Sequence, residues 1–249
     1  MLLMIRENYE EICKVAAQKF ADFIRKKPNC VLGLATGSTP LGVYKELIRI
    51  YQEENLDFSL VQTFNLDEYV GLPWEHDQSY YYFMKKNLFD HINVHPNSIH
   101  IPNGMASDIE QECLEYEKQI IEAGGIDLQI LGIGSNGHIA FNEPFSSLGS
   151  RTRIKTLTEK TRQDNARFFK SMDEVPKYAI TMGVGTIMDS RSVILLASGS
   201  NKSWAIKNTV EGPITARVPA TIVQIHRHAT VLVDRDAASE LTDAIKISE

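Results

Sequence analysis

The sequence predicts an α/β fold in which a mostly parallel sheet is covered by helices on both faces. Short apolar runs alternate along the chain with longer stretches whose apolar residues recur at helical spacing. Nearly continuous apolar strands are typical of a parallel sheet that is buried on both sides. Of the 249 residues, 43% are hydrophobic and 23% charged, and no repeat or Gly/Ser-rich linker divides them. We therefore expect one domain over residues 1–249.

Each strand is predicted from a short apolar run. The N-terminal MLLMIRE is expected to form an edge or first strand, since its apolar start is too short for a signal peptide or a membrane span. The other six runs are CVLGLAT (30–36), LVQTFNL (60–66), DLQILGI (127–133), KYAITMG (177–183), SVILLAS (192–198) and ATVLVD (229–234).

Three helices are predicted over 9–27, 39–54 and 107–124 from apolar residues three or four positions apart. Their stripes consist, in order, of Ile12, Val15, Ala16, Phe20 and Phe23; of Leu41, Tyr44, Leu47, Ile48 and Tyr51; and of Ile109, Cys113, Tyr116 and Ile120. A further segment, 158–176, is polar, basic and also predicted to be helical.

Charge and cysteine usage exclude several classes of protein. With 26 basic and 32 acidic side chains the net charge is −6, which argues against binding nucleic acid or anionic membranes by bulk charge. Anionic small molecules are not excluded. The three cysteines are widely spaced and form no CxxC pair, so we expect no disulfide framework and no metal site. A reducing, cytoplasmic location follows as the prediction.

Ligands of open parallel sheets bind beyond the carboxyl ends of the strands, so the loops there are the informative ones. The first such loop, Ala35-Thr36-Gly37-Ser38-Thr39-Pro40, lies between a buried strand and a helix. Hydroxyls beside a helix N-terminus suit a phosphate group, although a plain helix cap has the same pattern.

The second loop contains Asp67 and Glu68 at the end of an apolar strand. Two adjacent carboxylates there are compatible with a general base, a metal ligand or a cap for the next helix. The residues alone leave these alternatives open.

The third loop, GIGSNGHIAFNEP (132–144), is the most specific, because Asn136, His138 and Glu143 occur together among glycines. A carboxylate near a histidine fixes its tautomer and favours its use as an acid or base. The spacing of His138 and Glu143 is not that of a zinc site, so acid–base chemistry is the prediction.

Taken together, the motifs resemble the glucosamine-6-phosphate deaminase family. They occur in the same order from about residue 2 to about residue 240 and are VLGLATGSTPLGVYKEL, TFNLDEYVGL, SYYYF (79–83), GIGSNGHIAFNEP, SRTRIKTLT and VPKYAITMGVGTIMD. NLDEYVGL and GHIAFNEP are specific to that family, whereas TGSTP is shared with related sugar-phosphate isomerases and lactonases.

The resemblance implies a modified Rossmann-like fold and conversion of glucosamine 6-phosphate and water to fructose 6-phosphate and ammonia, without a cofactor. It implies that Asp67 moves the proton between C2 and C1. It implies that His138 opens the sugar ring, oriented by Glu143 and by Asn136, an amide where some members have Asp. The implied phosphate-binding residues are Thr36, Gly37, Ser38, Thr39, Lys202 and, from a lid over about 157–176, Arg167.

The resemblance also implies an effector site. Longer members are hexamers activated by N-acetylglucosamine 6-phosphate at positions that match Ser146, Arg153, Lys155 and Thr156, together with a C-terminal aromatic residue. This chain has no Phe, Tyr or Trp after Trp204. We therefore expect the effector site to be vestigial, the kinetics to be hyperbolic, and the protein to be a monomer or small homo-oligomer.

Two other functions remain as alternatives. A 6-phosphogluconolactonase-like hydrolase would use the phosphate loop and a histidine, but has no evident use for Asp67. A non-catalytic sugar-phosphate sensor that regulates transcription would need a helix-turn-helix, for which we find no spare N-terminal segment or basic stretch.

Overall fold

The computed structural model describes residues 1–166, 169 and 171–242. Its ten strands are β1 (Leu2–Arg6), β2 (Val31–Leu34), β3 (Gln62–Asn65), β4 (Asp67–Tyr69), β5 (Ile99–His100), β6 (Leu128–Gly132), β7 (Arg153–Thr156), β8 (Tyr178–Thr181), β9 (Ser192–Ala197) and β10 (Ala229–Asp234). Its α-helices are α1 (Tyr9–Lys26), α2 (Leu41–Glu54), α3 (Tyr80–Asn87), α4 (Ile109–Glu122), α5 (Glu159–Ala166), α6 (Val184–Met188) and α7 (Ser203–Glu211).

Seven strands form the central sheet in the order β1-β10-β9-β6-β2-β3-β5, and every neighbouring pair is parallel. The predicted mostly parallel sheet is therefore confirmed. From β2 the chain first extends the sheet through β3 to β5, and it then returns to the other side of β2 with β6. The direction reverses between β2 and β6, so the loops that follow these two strands meet at the topological switch point.

A second sheet of three antiparallel strands, in the order β4-β8-β7, lies beside this point. The run KYAITMG was expected to join the parallel sheet, but its strand β8 is the centre of this smaller one. Its burial explains the apolar sequence: Ala179, Ile180 and Thr181 are each 0% exposed. An apolar run indicates that a strand is buried, but it does not indicate which strands it pairs with.

The predicted helices are present with small shifts at their ends. The buried residues of α2 are Val43, Tyr44, Leu47 and Ile50, whereas the predicted stripe residues Leu41, Ile48 and Tyr51 are only partly buried. Of the predicted helix over 158–176, the described residues form α5 (Glu159–Ala166) and a short 3-10 turn at Met172–Glu174; Arg167, Phe168 and Lys170 lie outside the described residues.

The three cysteines are buried thiols without a disulfide. Among the residues that the structure describes, no helix is both long and apolar enough to cross a bilayer.

Candidate active site

A cavity of about 840 Å³ opens at the switch point. It is lined by Tyr9, Ser38, Thr39, Leu41, Gly42, Lys45, Ile133, Gly134, Ser135, His138, Ser198, Asn201 and Lys202. This lining carries two lysines and no carboxylate. Such a surface suits an anionic ligand, because no like charge has to be overcome.

Tyr9 of α1 fixes the loop between β2 and α2. Its hydroxyl lies 2.9 Å from the carbonyl oxygen of Thr39 and 3.1 Å from that of Ser38, and it accepts a hydrogen bond of 2.9 Å from the backbone N–H of Gly42. Burial is the main cause that raises the pKa of Tyr9 to about 12, so the phenol stays protonated. Ser38 and Thr39 line the cavity as expected, while Thr36 and Gly37 lie outside its lining.

Lys202 enters the cavity from the loop after β9, as the resemblance implied. A second lysine, Lys45 of α2, lines the same cavity and was not anticipated. One lysine on the polar face of an amphipathic helix gives no pattern that sequence reasoning can distinguish from a solvated charge. Arg167, the third implied cation, lies outside the described residues.

The His138 ring is held by Asn136 and Glu143. Nδ1 of His138 lies 2.7 Å from Oδ1 of Asn136 and 3.6 Å from Oε2 of Glu143. The Asn136 amide in turn donates from Nδ2 to Oε2 of Glu143 at 2.8 Å. Asn136 therefore bridges the histidine and the carboxylate, so Glu143 acts both directly and through the amide.

This bridge determines which imidazole nitrogen carries the proton. The Glu143 carboxylate can only accept, so Asn136 must turn Nδ2 toward it and Oδ1 toward His138. The backbone N–H of His138 also donates to the same Oδ1, at 3.2 Å. Nδ1 of His138 is therefore the protonated nitrogen of the neutral ring, and Nε2 is left to take up a proton.

The ring also needs space that only glycine provides at position 134. A Cβ on Gly134 would lie 2.1 Å from Cε1 of His138 and 2.3 Å from its Nδ1. The glycine that precedes the loop's polar residues thus lets the imidazole lie flat against the backbone. His138 is the loop's catalytic candidate that lines the cavity; Asn136 and Glu143 lie behind it.

The two carboxylates of strand β4 have different surroundings. Glu68 is 0% exposed and accepts hydrogen bonds from the backbone N–H groups of Tyr69 (2.8 Å), Tyr80 (2.9 Å) and Tyr81 (2.9 Å). Two of these donors belong to the first turn of α3, so Glu68 caps that helix. Burial raises the pKa of Glu68 to about 7 in spite of these hydrogen bonds.

Asp67 is 6% exposed and is not part of the helix cap. Its pKa is raised to about 8, first by burial and then by the charge of Glu68. A carboxyl group whose pKa lies near neutrality is suited to take a proton from carbon and give it back. Asp67 itself does not line the cavity.

The end of β8 joins Asp67 to the His138 loop. Thr181 pairs with Asp67 in the antiparallel register, and its hydroxyl accepts a 3.2 Å hydrogen bond from the N–H of Phe141. The next residue, Met182, donates its N–H to the carbonyl oxygen of Leu66 and accepts from Nδ2 of Asn142. One strand end thus holds both candidate acid–base groups, Asp67 and His138, which the sequence separates by about seventy residues.

Of the four residues at the implied effector position, Arg153 contacts the His138 loop. Arg153 donates from NH2 to Oδ1 of Asn142 at 2.9 Å, and burial lowers the pKa of Arg153. Ser146 is 6% exposed, and its hydroxyl has no hydrogen-bond partner among the described residues. Lys155 and Thr156 complete strand β7. Within the described ranges, no three His, Cys, Asp or Glu side chains are grouped to hold a metal ion.

Comparison with known proteins identifies the family of this chain. The family described as glucosamine-6-phosphate isomerases/6-phosphogluconolactonase matches residues 6–232. The glucosamine-6-phosphate deaminase of Thermoanaerobacter sp. (strain X514) is 56% identical over 98% of this chain and 96% of its own. A solved monomeric glucosamine-6-phosphate deaminase is 49% identical, covers 96% of this chain and 100% of its own, and superimposes with a TM-score of 0.94. The 6-phosphogluconolactonase of Trypanosoma brucei, 20% identical with a TM-score of 0.77 over 97% of this chain and 98% of its own, shares the fold.

Proposed function

We propose that Asp67, Asn136, His138 and Glu143 carry out the reaction of this chain, which belongs to the family of glucosamine-6-phosphate isomerases and 6-phosphogluconolactonases. The reaction converts glucosamine 6-phosphate and water to fructose 6-phosphate and ammonia. The observation that carries this proposal is the shared support of Asp67 and the His138 loop at the end of β8. Ring opening and enolisation need separate acid–base groups acting on one substrate, and this geometry supplies two.

The first step is opening of the pyranose ring. Nε2 of His138 takes the proton of the C1 hydroxyl and delivers it to the ring oxygen as the bond between C1 and that oxygen breaks, which leaves an aldehyde at C1. The imidazolium that forms is stabilised by Glu143, 3.6 Å from Nδ1, and its orientation is kept by Asn136. General acid–base help of this kind accelerates a step by roughly 10²–10⁴-fold.

The second step is isomerisation and loss of nitrogen. The aldehyde acidifies the C2 proton, which the Asp67 carboxylate removes and returns to C1, while a proton of the protonated amino group passes to the C1 oxygen. The double bond is left between C2 and nitrogen, and water adds to this imine to release ammonia and form the C2 ketone. Asp67 ends the cycle as it began, as a carboxylate, and no oxidant, metal or cofactor is needed for the balance.

The phosphate group anchors the substrate far from the reacting carbons. Ser38, Thr39 and Lys202 line the cavity beside the N-terminus of α2, and Thr36, Gly37 and Arg167 belong to the same proposed set. Contacts to a remote group hold C1 and C2 in register, and much of the acceleration arises from such positioning.

One assay tests the function against the lactonase alternative. The purified protein is given glucosamine 6-phosphate with detection of fructose 6-phosphate and ammonia, and in parallel a 6-phosphogluconolactone with detection of acid release. We expect ammonia release that Asp67→Asn nearly abolishes while KM stays within about threefold, because the proton transfer belongs to the transition state. Wild-type kcat in this variant would remove Asp67 from the mechanism.

We further propose a cytoplasmic enzyme formed by one domain over residues 1–249, with 157–176 as a lid, working as a monomer or small homo-oligomer. Ser146, Arg153, Lys155 and Thr156 are proposed as a vestigial effector site. Two features support a residual affinity for anions: Arg153 is half-buried, and the Ser146 hydroxyl has no hydrogen-bond partner in the part of the chain that the structure describes. Arg153 is, however, also engaged with Asn142 of the His138 loop.

A further inference from the structure

Asp234 stands at the carboxyl end of β10, outside the lining of the cavity, and is 5% exposed. Its carboxylate crosses to the end of the neighbouring strand β9. Oδ2 accepts a hydrogen bond of 2.5 Å from the Ser198 hydroxyl, and both oxygens lie 3.1 Å from the backbone N of Gly199. Oδ1 also accepts from the N–H of Ala237 at 2.8 Å.

The segment held in this way leads directly into the cavity. Ser198, Asn201 and Lys202 line it, and Gly199 between them has a φ of 89°, a conformation that strongly favours glycine. The Lys202 backbone N–H then bonds to the carbonyl oxygen of Gly199 at 3.0 Å. The position of the Lys202 backbone is therefore set from Gly199, and that of Gly199 from Asp234.

We infer that Asp234 is a positioning residue for substrate binding, which holds Ser198 and Gly199 so that Lys202 is aimed at the substrate phosphate. The inference rests on the proposed phosphate role of Lys202. Charge-assisted hydrogen bonds to a buried carboxylate are among the stronger ones in proteins. Without these hydrogen bonds the Lys202 side chain keeps its charge but samples more directions. Binding of the substrate then has to order the side chain, and this entropic cost weakens the affinity.

The test compares Asp234→Asn with Asp127→Asn. Asp127 is an equally buried carboxylate, 1% exposed, which accepts from the N–H of Val31 and from Lys27 at the opposite end of the sheet. Both variants are expected to lower the melting temperature. Asp234→Asn alone is expected to raise KM for glucosamine 6-phosphate and the inhibition constant of inorganic phosphate by about tenfold, with kcat within about twofold.

A double-mutant cycle with Lys202→Ala identifies the route of the effect. If Asp234 acts through Lys202, Asp234→Asn should change KM by less than about twofold once the lysine is gone. Additive effects on KM, or equal KM values in Asp234→Asn and Asp127→Asn, would overturn the inference. An unchanged KM in Lys202→Ala alone would instead contradict the proposed phosphate site.

Gly199→Ala keeps the inference testable if Asp234→Asn does not fold. An alanine is strained at a φ of 89° and displaces the same segment without altering the carboxylate. A rise in KM and in the phosphate inhibition constant with kcat retained supports the inference; loss of kcat at unchanged KM contradicts it.

Discussion

Asp67 and Glu68 are adjacent in the sequence, yet only Glu68 is saturated by backbone donors. Of the alternatives that the sequence left open for this pair, a base, a metal ligand or a helix cap, the cap belongs to Glu68, and we propose the base for Asp67. Alternation along a strand explains this division, because neighbouring side chains point to opposite faces. The same burial that fits Asp67 for proton transfer has an energetic cost.

We expect Asp67→Asn to stabilise the protein at alkaline pH. The folded-state pKa of Asp67, about 8, lies above the ordinary value of 3.8, so the folded state binds the proton more tightly than the unfolded state. Stability from this group is fully present below about pH 4 and is lost as the pH rises through about 8. Melting temperatures of wild type and variant should diverge over that range.

The control for this experiment is Asp77→Asn, whose side chain is 73% exposed. It should leave the pH dependence of the melting temperature unchanged. If the melting temperatures of wild type and Asp67→Asn changed in parallel between pH 4 and 9, the pKa of the Asp67 carboxyl would not be raised in the folded state.

We expect Asn136→Ala to lower kcat about tenfold, which is the order expected for one lost orienting hydrogen bond. The imidazole then has no amide to fix Nδ1–H, and both tautomers become populated. Asn136→Asp, which keeps an acceptor for Nδ1, should lose less. Nitrogen chemical shifts of the His138 ring report the tautomer, and a single unchanged tautomer in Asn136→Ala would contradict the bridge.

Residues close together in the sequence were the ones that sequence reasoning could find. Asn136, His138 and Glu143 share one loop, and Asp67 ends a predicted strand. Tyr9, Lys45 and Asp234 belong to the same region, but each arrives on its own element. Only the fold brings them together, so no local pattern marks them.

At the scale of elements, apolar runs predicted six strands of the central sheet. They did not predict β4 and β7 of the second sheet, which consist largely of polar residues. Strand Asp67–Tyr69 begins with two residues that carry carboxyl groups. In strand Arg153–Thr156 the two charged residues are partly buried, and the residues that follow each of them are exposed. Strand formation at such positions depends on the neighbours available, here β8, more than on the residues themselves. The second sheet was missed for that reason.

The loop before α2 depends on a tyrosine from another helix. We expect Tyr9→Phe to raise KM for glucosamine 6-phosphate severalfold with little change in kcat. Loss of the hydroxyl frees the carbonyl groups of Ser38 and Thr39 and leaves the Gly42 N–H without its partner. Steady-state kinetics and inhibition by inorganic phosphate measure the effect.

Tyr51→Phe is the matched control, since Tyr51 packs edge-on against Phe58 and its hydroxyl makes no hydrogen bond within the described part of the chain. An equal KM change in both variants would mean that the loop does not need its anchor.

On the scale of the whole molecule, an acidic protein must attract an anionic substrate. The net charge is −6, while the cavity lining holds Lys45 and Lys202 and no carboxylate. We expect Lys45→Glu to lower kcat/KM about tenfold at ~10 mM salt. The difference should shrink toward 1 M salt, where the screening length is only about 3 Å.

Lys14→Glu makes the same change of net charge on α1, away from the cavity lining. It should alter kcat/KM by less than about twofold at any salt concentration. Similar losses in the two variants would assign the effect to net charge and not to the cavity.

Regulation is a further property of the whole molecule. Arg153 of the proposed vestigial effector site is hydrogen-bonded to Asn142, so we expect hyperbolic kinetics and no activation by N-acetylglucosamine 6-phosphate, because an effector acts only through different affinities for two states. Initial rates over a range of substrate concentrations, with and without the effector, test this. Sigmoidal curves that become hyperbolic on its addition would contradict it.

The pairing of the first strand with the last has a consequence for how the chain is made. Within the described residues, β1 pairs with one strand of the central sheet, β10, with Leu2 opposite Thr230. During synthesis the apolar N-terminal segment therefore lacks its partner strand until β10 has left the ribosome. Contacts between residues so far apart in the sequence slow folding, and they prolong the exposure of aggregation-prone apolar surface. We therefore expect the N-terminal segment to be an exposed apolar surface of the newly made chain, of the kind that chaperones bind.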